Sequence, residues 1–401
     1  MLSGHHLVYF GPEKWKGLWR NRHQLMSRYA RQNKVLYIEP YNYLKGMRHQ
    51  WREGTLGWQD LEQDLKQRRV TKAADNLYIY RNPLFIPISG RYPLDRITWS
   101  LWTGLLRSTM QRLGFAEPIL WLSRPNMVNL IGRFNEKLTI YHVVDEYLSY
   151  THVQHNIEAR QEQQALEQQM LEKTDLVIVV SEKLLQAKRP SNPHTYLVPN
   201  GVDYQAYTQA LDSQEPLPPD IAQLPKPIIG YSGLVGARLD LDLLHHLATL
   251  HPEWSIALVG AINDRHCAAG LNKLRQKKNI HFLGRKEIHQ VPYYVKGFDV
   301  CLVPYTLNER AQNSSPLKLY DYMATGKPIV TTNFAAAGQF EDVIRIANSK
   351  KEFTRCIEEI LSGENNGLCS KRRRIAAQNT WEDRITQQSV LIQSHLNQAG
   401  R

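Results

Sequence analysis

The chain has 401 residues, 42% of them apolar and 22% charged, which excludes a disordered chain and suits two cores better than one. Its net charge of +12 predicts anionic partners such as nucleotide phosphates or acidic lipid headgroups, and no nucleic-acid motif accompanies that charge, so nucleic acid is not expected. No stretch reaches the roughly 18 apolar residues of a membrane-spanning helix. The N-terminus enters strand-like sequence at Leu7 without the basic and apolar regions of a signal peptide, so none is expected.

In chain order, continuous apolar runs predict strands at 7–10, 35–39, 77–80, 119–122, 138–144, 176–180 and 196–198, with helix-like stretches between them, most plainly 157–173. Continuous rather than alternating runs fit a parallel sheet covered on both faces. Prolines cluster at Pro216, Pro218, Pro219, Pro225 and Pro227 and predict a linker over 211–227. The alternation restarts with strands at 228–231, 255–259, 281–283, 300–303, 329–332 and 343–346. The expected organisation is an N-terminal domain over 1–210 and a C-terminal domain over 228–380. A polar helix over 381–401 is free to pack back on the first. Repeated β-α units predict an α/β fold of two doubly wound sheets facing across a cleft, with ligands at the carboxyl ends of the strands. The scattered Cys267, Cys301, Cys356 and Cys369 form no C-x-x-C pair, which fits a reducing cytoplasm and predicts neither a disulfide framework nor a zinc site.

The segment Asn313-Ser314-Ser315-Pro316-Leu317-Lys318-Leu319-Tyr320-Asp321 reads as a marked helix start, with Gly326 and Pro328 as its stop. Ser315 suits the cap and Pro316 the first turn. The free N–H groups of such a start attract a phosphate, and Lys318 adds a full positive charge. Asp321 shares the helix face of Leu317 and Lys318, where a carboxylate can accept hydrogen bonds from ribose hydroxyls. Spacing alone leaves open a capped core helix with an incidental Lys and Asp.

This segment resembles the signature of the GT-B glycosyltransferases of family 4, in the form S-P-L-K-x-Y-[ED]-Y-x-A-x-G-K-P. The segments Val177–Ser181, Val198–Asp203, Tyr231–Gly233, Ile280–Gly284 and Asp299–Pro304 resemble further family motifs in the same order. The resemblance implies two Rossmann-like domains and a retaining, metal-independent transfer from a nucleoside diphosphate sugar, UDP- or GDP-linked, with no other cofactor. It implies that Asp321 holds the ribose, while Asn313, Ser314, Ser315, Leu317 and Gly233 meet the rest of the donor. Asn313 stands where many members have a glutamate, and an amide cannot supply that charge.

The resemblance further implies that Arg238 and Lys318 neutralise the leaving diphosphate. Asp145 and Glu146, at the end of the strand 138–144, are candidates to orient an acceptor hydroxyl or assist its deprotonation. An N-cap for the next helix remains the alternative there, and a surface position the alternative for Arg238. Gly11, Arg22 and His23 are candidates for the loop near diphosphate and acceptor, with an ordinary surface helix as the other reading. His142 is expected to be a buried structural histidine, and Asn200-Gly201 a structural turn. Asp240-Leu241-Asp242 has a metal-binding spacing but sits at a helix start, where acidic residues are ordinary.

The acceptor implied is a cell-envelope polysaccharide or lipid-linked oligosaccharide. The basic, Trp-bearing stretches 14–20 and 45–52 suit peripheral contact with anionic membrane, at the cytoplasmic inner face of the cell membrane, with an ordinary solvated surface and some core Trp as the other reading. Two alternatives share this architecture: a nucleotide-sugar epimerase, and a catalytically degenerate nucleotide-sugar binding protein.

Overall fold

Nearly every expected apolar run is a strand in a computed structural model of the chain, which describes residues 1–89, 94–147, 156–308, 312, 315, 317–363 and 367–399. The chain divides into two units, Met1–Val198 with Ile385–Arg401, and Pro199–Arg384.

In the first unit the strands are β1 (His6–Phe10), β2 (Lys34–Ile38), β3 (Val70–Ala74), β4 (Leu77–Tyr80), β5 (Ile119–Leu122), β6 (Leu138–Val143), β7 (Leu176–Val179) and β8 (Thr195–Leu197). They form one sheet in the order β3-β4-β2-β1-β5-β6-β7-β8. Every pairing is parallel except β3 against β4. Both faces are covered, so β5, β6 and β7 are buried along their whole length. The helices are α1 (Asn21–Tyr29), α2 (Leu44–Arg52), α3 (Trp58–Lys66), α4 (Leu94–Arg112), α5 (Ile157–Lys173) and α6 (Glu182–Lys188). β3 was not expected from the sequence. It is an antiparallel edge strand with four of its five residues exposed, so it carries no apolar run.

The second unit opens with α7 (Tyr204–Asp212) and α8 (Pro219–Ala222). Its main strands are β9 (Ile228–Ser232), β11 (Ser255–Val259), β13 (Ile280–Gly284), β14 (Val300–Val303), β15 (Ile329–Thr332) and β16 (Arg345–Ala347), in the all-parallel order β13-β11-β9-β14-β15-β16. Renumbered by sequence this is 3-2-1-4-5-6, the doubly wound order of a Rossmann-like sheet. Two short strands, β10 (Val235–Gly236) and β12 (Ile262–Asn263), pair beside it. The helices are α9 (Leu241–Leu250), α10 (Ala268–Arg275), α11 (Val291–Gly297), α12 (Leu317–Thr325), α13 (Ala335–Gly338), α14 (Lys350–Leu361), α15 (Cys369–Ala377) and α16 (Trp381–Ala399).

The domain boundary differs from the expected one. The Pro-rich segment 211–227 is not a linker: it packs into the second unit, which begins at Pro199 rather than at 228. Ile221 is fully buried, Asp220 accepts from Lys286 Nζ (2.6 Å) and the Tyr294 hydroxyl (2.7 Å), and Lys296 Nζ donates to the Ser213 carbonyl (2.7 Å). Proline excludes this segment from the sheet but not from the core beside it. Residues 211–212 complete α7, whose Tyr207 and Ala210 are buried. The last helix, α16, starts in the second unit and from Ile385 onward belongs to the first.

Candidate functional site

In the second unit the strand order reverses between β9 and β14, and ligands of doubly wound sheets bind at the carboxyl ends of the strands at such a switch point. Strands β9 and β11 run into Gly233 and Gly260, and β13 ends on Gly284. A Cβ on Gly260 would collide with the Gly233 carbonyl oxygen. A Cβ on Gly233 would lie 2.5 Å from the Tyr231 hydroxyl and 3.1 Å from Lys318 Cε. Glycine therefore lets the turn after β9 press against its neighbour strand and against the first turn of α12.

α12 starts at Leu317 and ends before Gly326, which has a φ of +73° that a Cβ would strain. Just ahead of it, the Ser315 carbonyl accepts from Asn200 Nδ2 at 2.7 Å. Asn313, Ser314 and Pro316 lie outside the described residues. Lys318 Nζ stands 3.4 Å from Asp321 Oδ2, and their side chains are 22% and 15% exposed. Burial raises the Asp321 carboxyl above its ordinary range. Lys318 and the nearby Tyr207 oppose that shift, and the Asp203 charge adds to it.

Arg238 follows β10, and its guanidinium carbon sits 4.4 Å from the centre of the Tyr305 ring. Its backbone is fastened there: Thr306 N–H donates to the Arg238 carbonyl (2.9 Å) and Asp240 N–H to the Pro304 carbonyl (2.8 Å). The Nε and Nη2 atoms are buried and have no hydrogen-bond partner among the described residues. The Tyr231 hydroxyl donates to the Leu234 carbonyl (3.3 Å) and lies against Gly233. Tyr305 was missed by the sequence reading; its signal was its position directly after the strand end Val303-Pro304. Asp240 accepts from Leu243 N–H (2.8 Å) as the cap of α9, so the Asp240–Asp242 pair forms a helix start. Among the described residues no cluster of His, Cys, Asp and Glu could hold a metal ion.

The first unit has its own switch point between β1 and β5. A Cβ on Gly11, just after β1, would collide with the Tyr37 ring. The Tyr37 hydroxyl donates to the Glu13 carbonyl (2.7 Å), which fixes the loop. Arg22 Nη2 meets Glu13 Oε2 at 2.8 Å, and Arg20 Nε stands 3.5 Å from the same oxygen. Burial would raise the Glu13 carboxyl, but these two cations bring it below its usual range. Nε of Arg22 is buried without a hydrogen-bond partner.

His23 is buried and structural: Nδ1 accepts from Arg20 N–H (3.0 Å) and Nε2 donates to the Trp15 carbonyl (2.8 Å). Burial holds this neutral ring at a pKa of about 4. The Trp15 and Trp19 rings pack on it at 4.6 and 4.9 Å.

Asp145 and Glu146 part company. Glu146 is 7% exposed and accepts from Lys188 Nζ (3.2 Å), which also meets Glu167 (2.7 Å). This buried triad gives Glu146 a structural engagement that an acceptor-facing carboxylate would not have. Asp145 is half-buried and accepts from Glu146 N–H (3.1 Å). His142 is fully buried, with no hydrogen-bond partner for either ring nitrogen among the described residues, and burial lowers its pKa to about 3. Asn200-Gly201 is structural too, but Gly201 does not have a positive φ. It is glycine because a Cβ would lie 2.8 Å from the Thr380 backbone.

Two doubly wound units, the second with a glycine-lined switch point, define the GT-B class of fold. Residues 227–363 match the family Glycosyl transferases group 1. The chain is 27% identical over 206 residues to the putative teichuronic acid biosynthesis glycosyltransferase TuaH of Bacillus subtilis (strain 168). That match covers 50% of each, so the chain spans about half the length of that relative. In fold it is similar to sucrose-phosphate synthase from Thermosynechococcus elongatus (TM-score 0.69, 18% identity, 98% and 99% of the two chains). It is similar also to Anabaena Alr3699/HepE in complex with UDP-glucose (0.66, 14%, 98% and 100%) and to WaaG, a glycosyltransferase involved in lipopolysaccharide biosynthesis (0.61, 14%, 97% and 98%). Residues 227–363 are therefore similar to the group 1 glycosyltransferases, and the chain has the GT-B fold of these solved structures.

Proposed function

We propose that the protein is a retaining glycosyltransferase that moves a sugar from a UDP- or GDP-linked donor to a hydroxyl of a cell-envelope polysaccharide or lipid-linked oligosaccharide. The observation that carries the reading is Arg238, whose Nε and Nη2 are buried without a hydrogen-bond partner among the described residues at the β9–β14 switch point. A guanidinium with free donors, beside a lysine and a strand end lined by glycine, is suited to a diphosphate.

In this reading the diphosphate lies over Gly233 between Arg238 and Lys318, and Asp321 accepts from the ribose hydroxyls. Ser315 and Leu317, with Asn313 and Ser314, would meet the rest of the donor. As the bond from the anomeric carbon to the phosphate oxygen breaks, Arg238 and Lys318 stabilise the charge growing on that oxygen. The acceptor oxygen bonds to the anomeric carbon, and its proton passes to the departing phosphate. No metal or further cofactor takes part. Asp145, at the end of β6, orients the acceptor hydroxyl in this reading. Gly11, Arg22 and His23 shape the loop after β1 on the acceptor side.

The printed names of TuaH, HepE and WaaG support this substrate class. The proposed location is the cytoplasm, in peripheral contact with anionic membrane. Among the described residues no helix is long and apolar enough to cross a membrane.

The test is incubation with a panel of UDP- and GDP-sugars, with and without membrane extract, following free diphosphate and donor identity. Acceptor-dependent release of diphosphate is expected. Donor isomerisation without release would establish an epimerase instead, and binding without either reaction a degenerate binding protein.

A further inference from the structure

Helix α2 reads Leu-Lys-Gly-Met-Arg-His-Gln-Trp-Arg, and none of its nine residues is buried. Leu44, Met47 and Trp51 recur at i, i+3 and i+7, so they form one stripe along the helix. Leu44 and Met47 are half-buried and Trp51 is 39% exposed. The rest of the helix is basic: Lys45, Arg48 and Arg52 are exposed and make no ion pair among the described residues, and α2 contains no acidic residue. Of the acidic residues that follow, Glu53 is engaged by His49 (3.2 Å) and Asp60 by the Gly57 N–H (2.7 Å), while Glu62 on α3 is exposed. Trp58, 73% exposed, stands edge-on to Trp51 at 5.2 Å.

A second stripe lies on α4. Trp99, Trp102, Leu106 and Met110 bury one face, while Leu94, Ile97 and Leu101 are 57%, 56% and 59% exposed on another, flanked by exposed Arg96. The first turns of α2 and α4 are tied together. Leu44 N–H donates to the Ile88 carbonyl (2.9 Å) and Ser89 N–H to Thr98 Oγ1 (3.1 Å), and the Tyr41 ring touches both Tyr43 and Trp99 at 5.2 Å.

We infer that α2, Trp58 and the outer stripe of α4 form one surface that lies in the interface of an anionic lipid bilayer. Tryptophan beside uncompensated lysine and arginine is the chemistry of that interface: the rings enter the headgroup layer and the cations meet lipid phosphates. A protein partner would cover the same apolar atoms but gives no account of three exposed cations ringing them on a helix without one acid. This deepens the proposed membrane contact and does not depend on the donor site.

The test uses the full chain with vesicles of phosphatidylcholine alone or with 30 mol% phosphatidylglycerol, read by flotation and by tryptophan fluorescence. Binding to the anionic vesicles, weakened by salt and accompanied by a blue shift, is expected. Lys45→Ala/Arg48→Ala/Arg52→Ala should weaken partition by about 100-fold, at roughly five-fold per charge. Ile97→Asp/Leu101→Asp should weaken it as well, with both variants keeping the wild-type melting temperature. Equal binding to neutral vesicles, no binding to anionic ones, or unchanged partition in either variant overturns the inference. So does a lipid-independent dimer that the Ile97→Asp/Leu101→Asp variant dissolves. UDP binding without vesicles reads the donor site separately, so failure of one leaves the other standing.

Discussion

Replacing Arg238 by alanine tests the donor site most directly, because the guanidinium serves little else in the unliganded protein. It makes one cation–π contact with Tyr305, worth about 0.5–2 kcal/mol. Against that, the substitution removes two buried donors without partners, whose desolvation costs about 1–3 kcal/mol each. The second effect is at least as large as the first, so the melting temperature of the free protein should hold or rise. The nucleotide response should not survive so well. Charge-assisted hydrogen bonds to a phosphate are worth about 1.5–3 kcal/mol, and a loss of about 2 kcal/mol raises Kd about 30-fold. At a UDP concentration of about 100 times the wild-type Kd, the ligand stabilises the wild type by about 2.7 kcal/mol and the variant by about 0.9 kcal/mol. For a unit of this size that is a thermal shift of about 8 °C falling to about 3 °C. Arg238→Lys should not restore it, since an ammonium lacks the planar fork. A variant that keeps the full UDP-induced shift, or whose free form loses several kcal/mol, would refute the assignment.

Three further outcomes are expected. Because burial raises the Asp321 carboxyl, nucleotide affinity should be full above that raised value and fall as pH drops through it, at a higher pH than an ordinary aspartate would give. The same shift makes stability rise over that descent, as the folded state takes up the proton first. Asp321→Asn should weaken UDP binding and flatten the acid limb in calorimetric titrations, and an acid limb unchanged in that variant counts against the ribose role. Gly260→Ala drives a methyl into the Gly233 carbonyl and should cost about 1–3 kcal/mol in denaturant unfolding together with most UDP binding; wild-type values of both would show the turn to be slack. Lys188→Met leaves Glu146 and Glu167 buried without their cation and should cost about 3–5 kcal/mol at neutral pH, whereas a loss below about 1 kcal/mol would show the triad to be solvated.

The strands were legible because a doubly wound sheet buries both faces, and unbroken apolar runs such as Leu176–Val179 then mark its centre. The helix beginning at Leu317 was legible for the same kind of reason, its stop written in Gly326 and Pro328. What the sequence hid depends on contacts between distant residues. Tyr305 under Arg238, Lys188 between two glutamates, and Asn200 holding the Ser315 carbonyl lie up to 115 positions apart and leave no local pattern. The prolines of 211–227 misled because they report backbone freedom and not burial; Ile221, set among them, is fully buried. Glu146 looked as available as Asp145 because the two are adjacent, and only the fold turns one toward Lys188.

The return of α16 has a practical consequence. The polypeptide leaves the first unit after Val198 and re-enters it at Ile385, so the first unit is assembled from two segments far apart in the chain. Ile385, Gln388, Ser389, Ile392 and His395 are all buried, and Gln388 accepts from the Tyr29 hydroxyl (3.2 Å). Truncation before Ile385 would therefore spare the sheet of the second unit and strip the covering from that of the first. Expression of 1–198 alone should yield aggregate, whereas 199–384 is the fragment to crystallise with a donor.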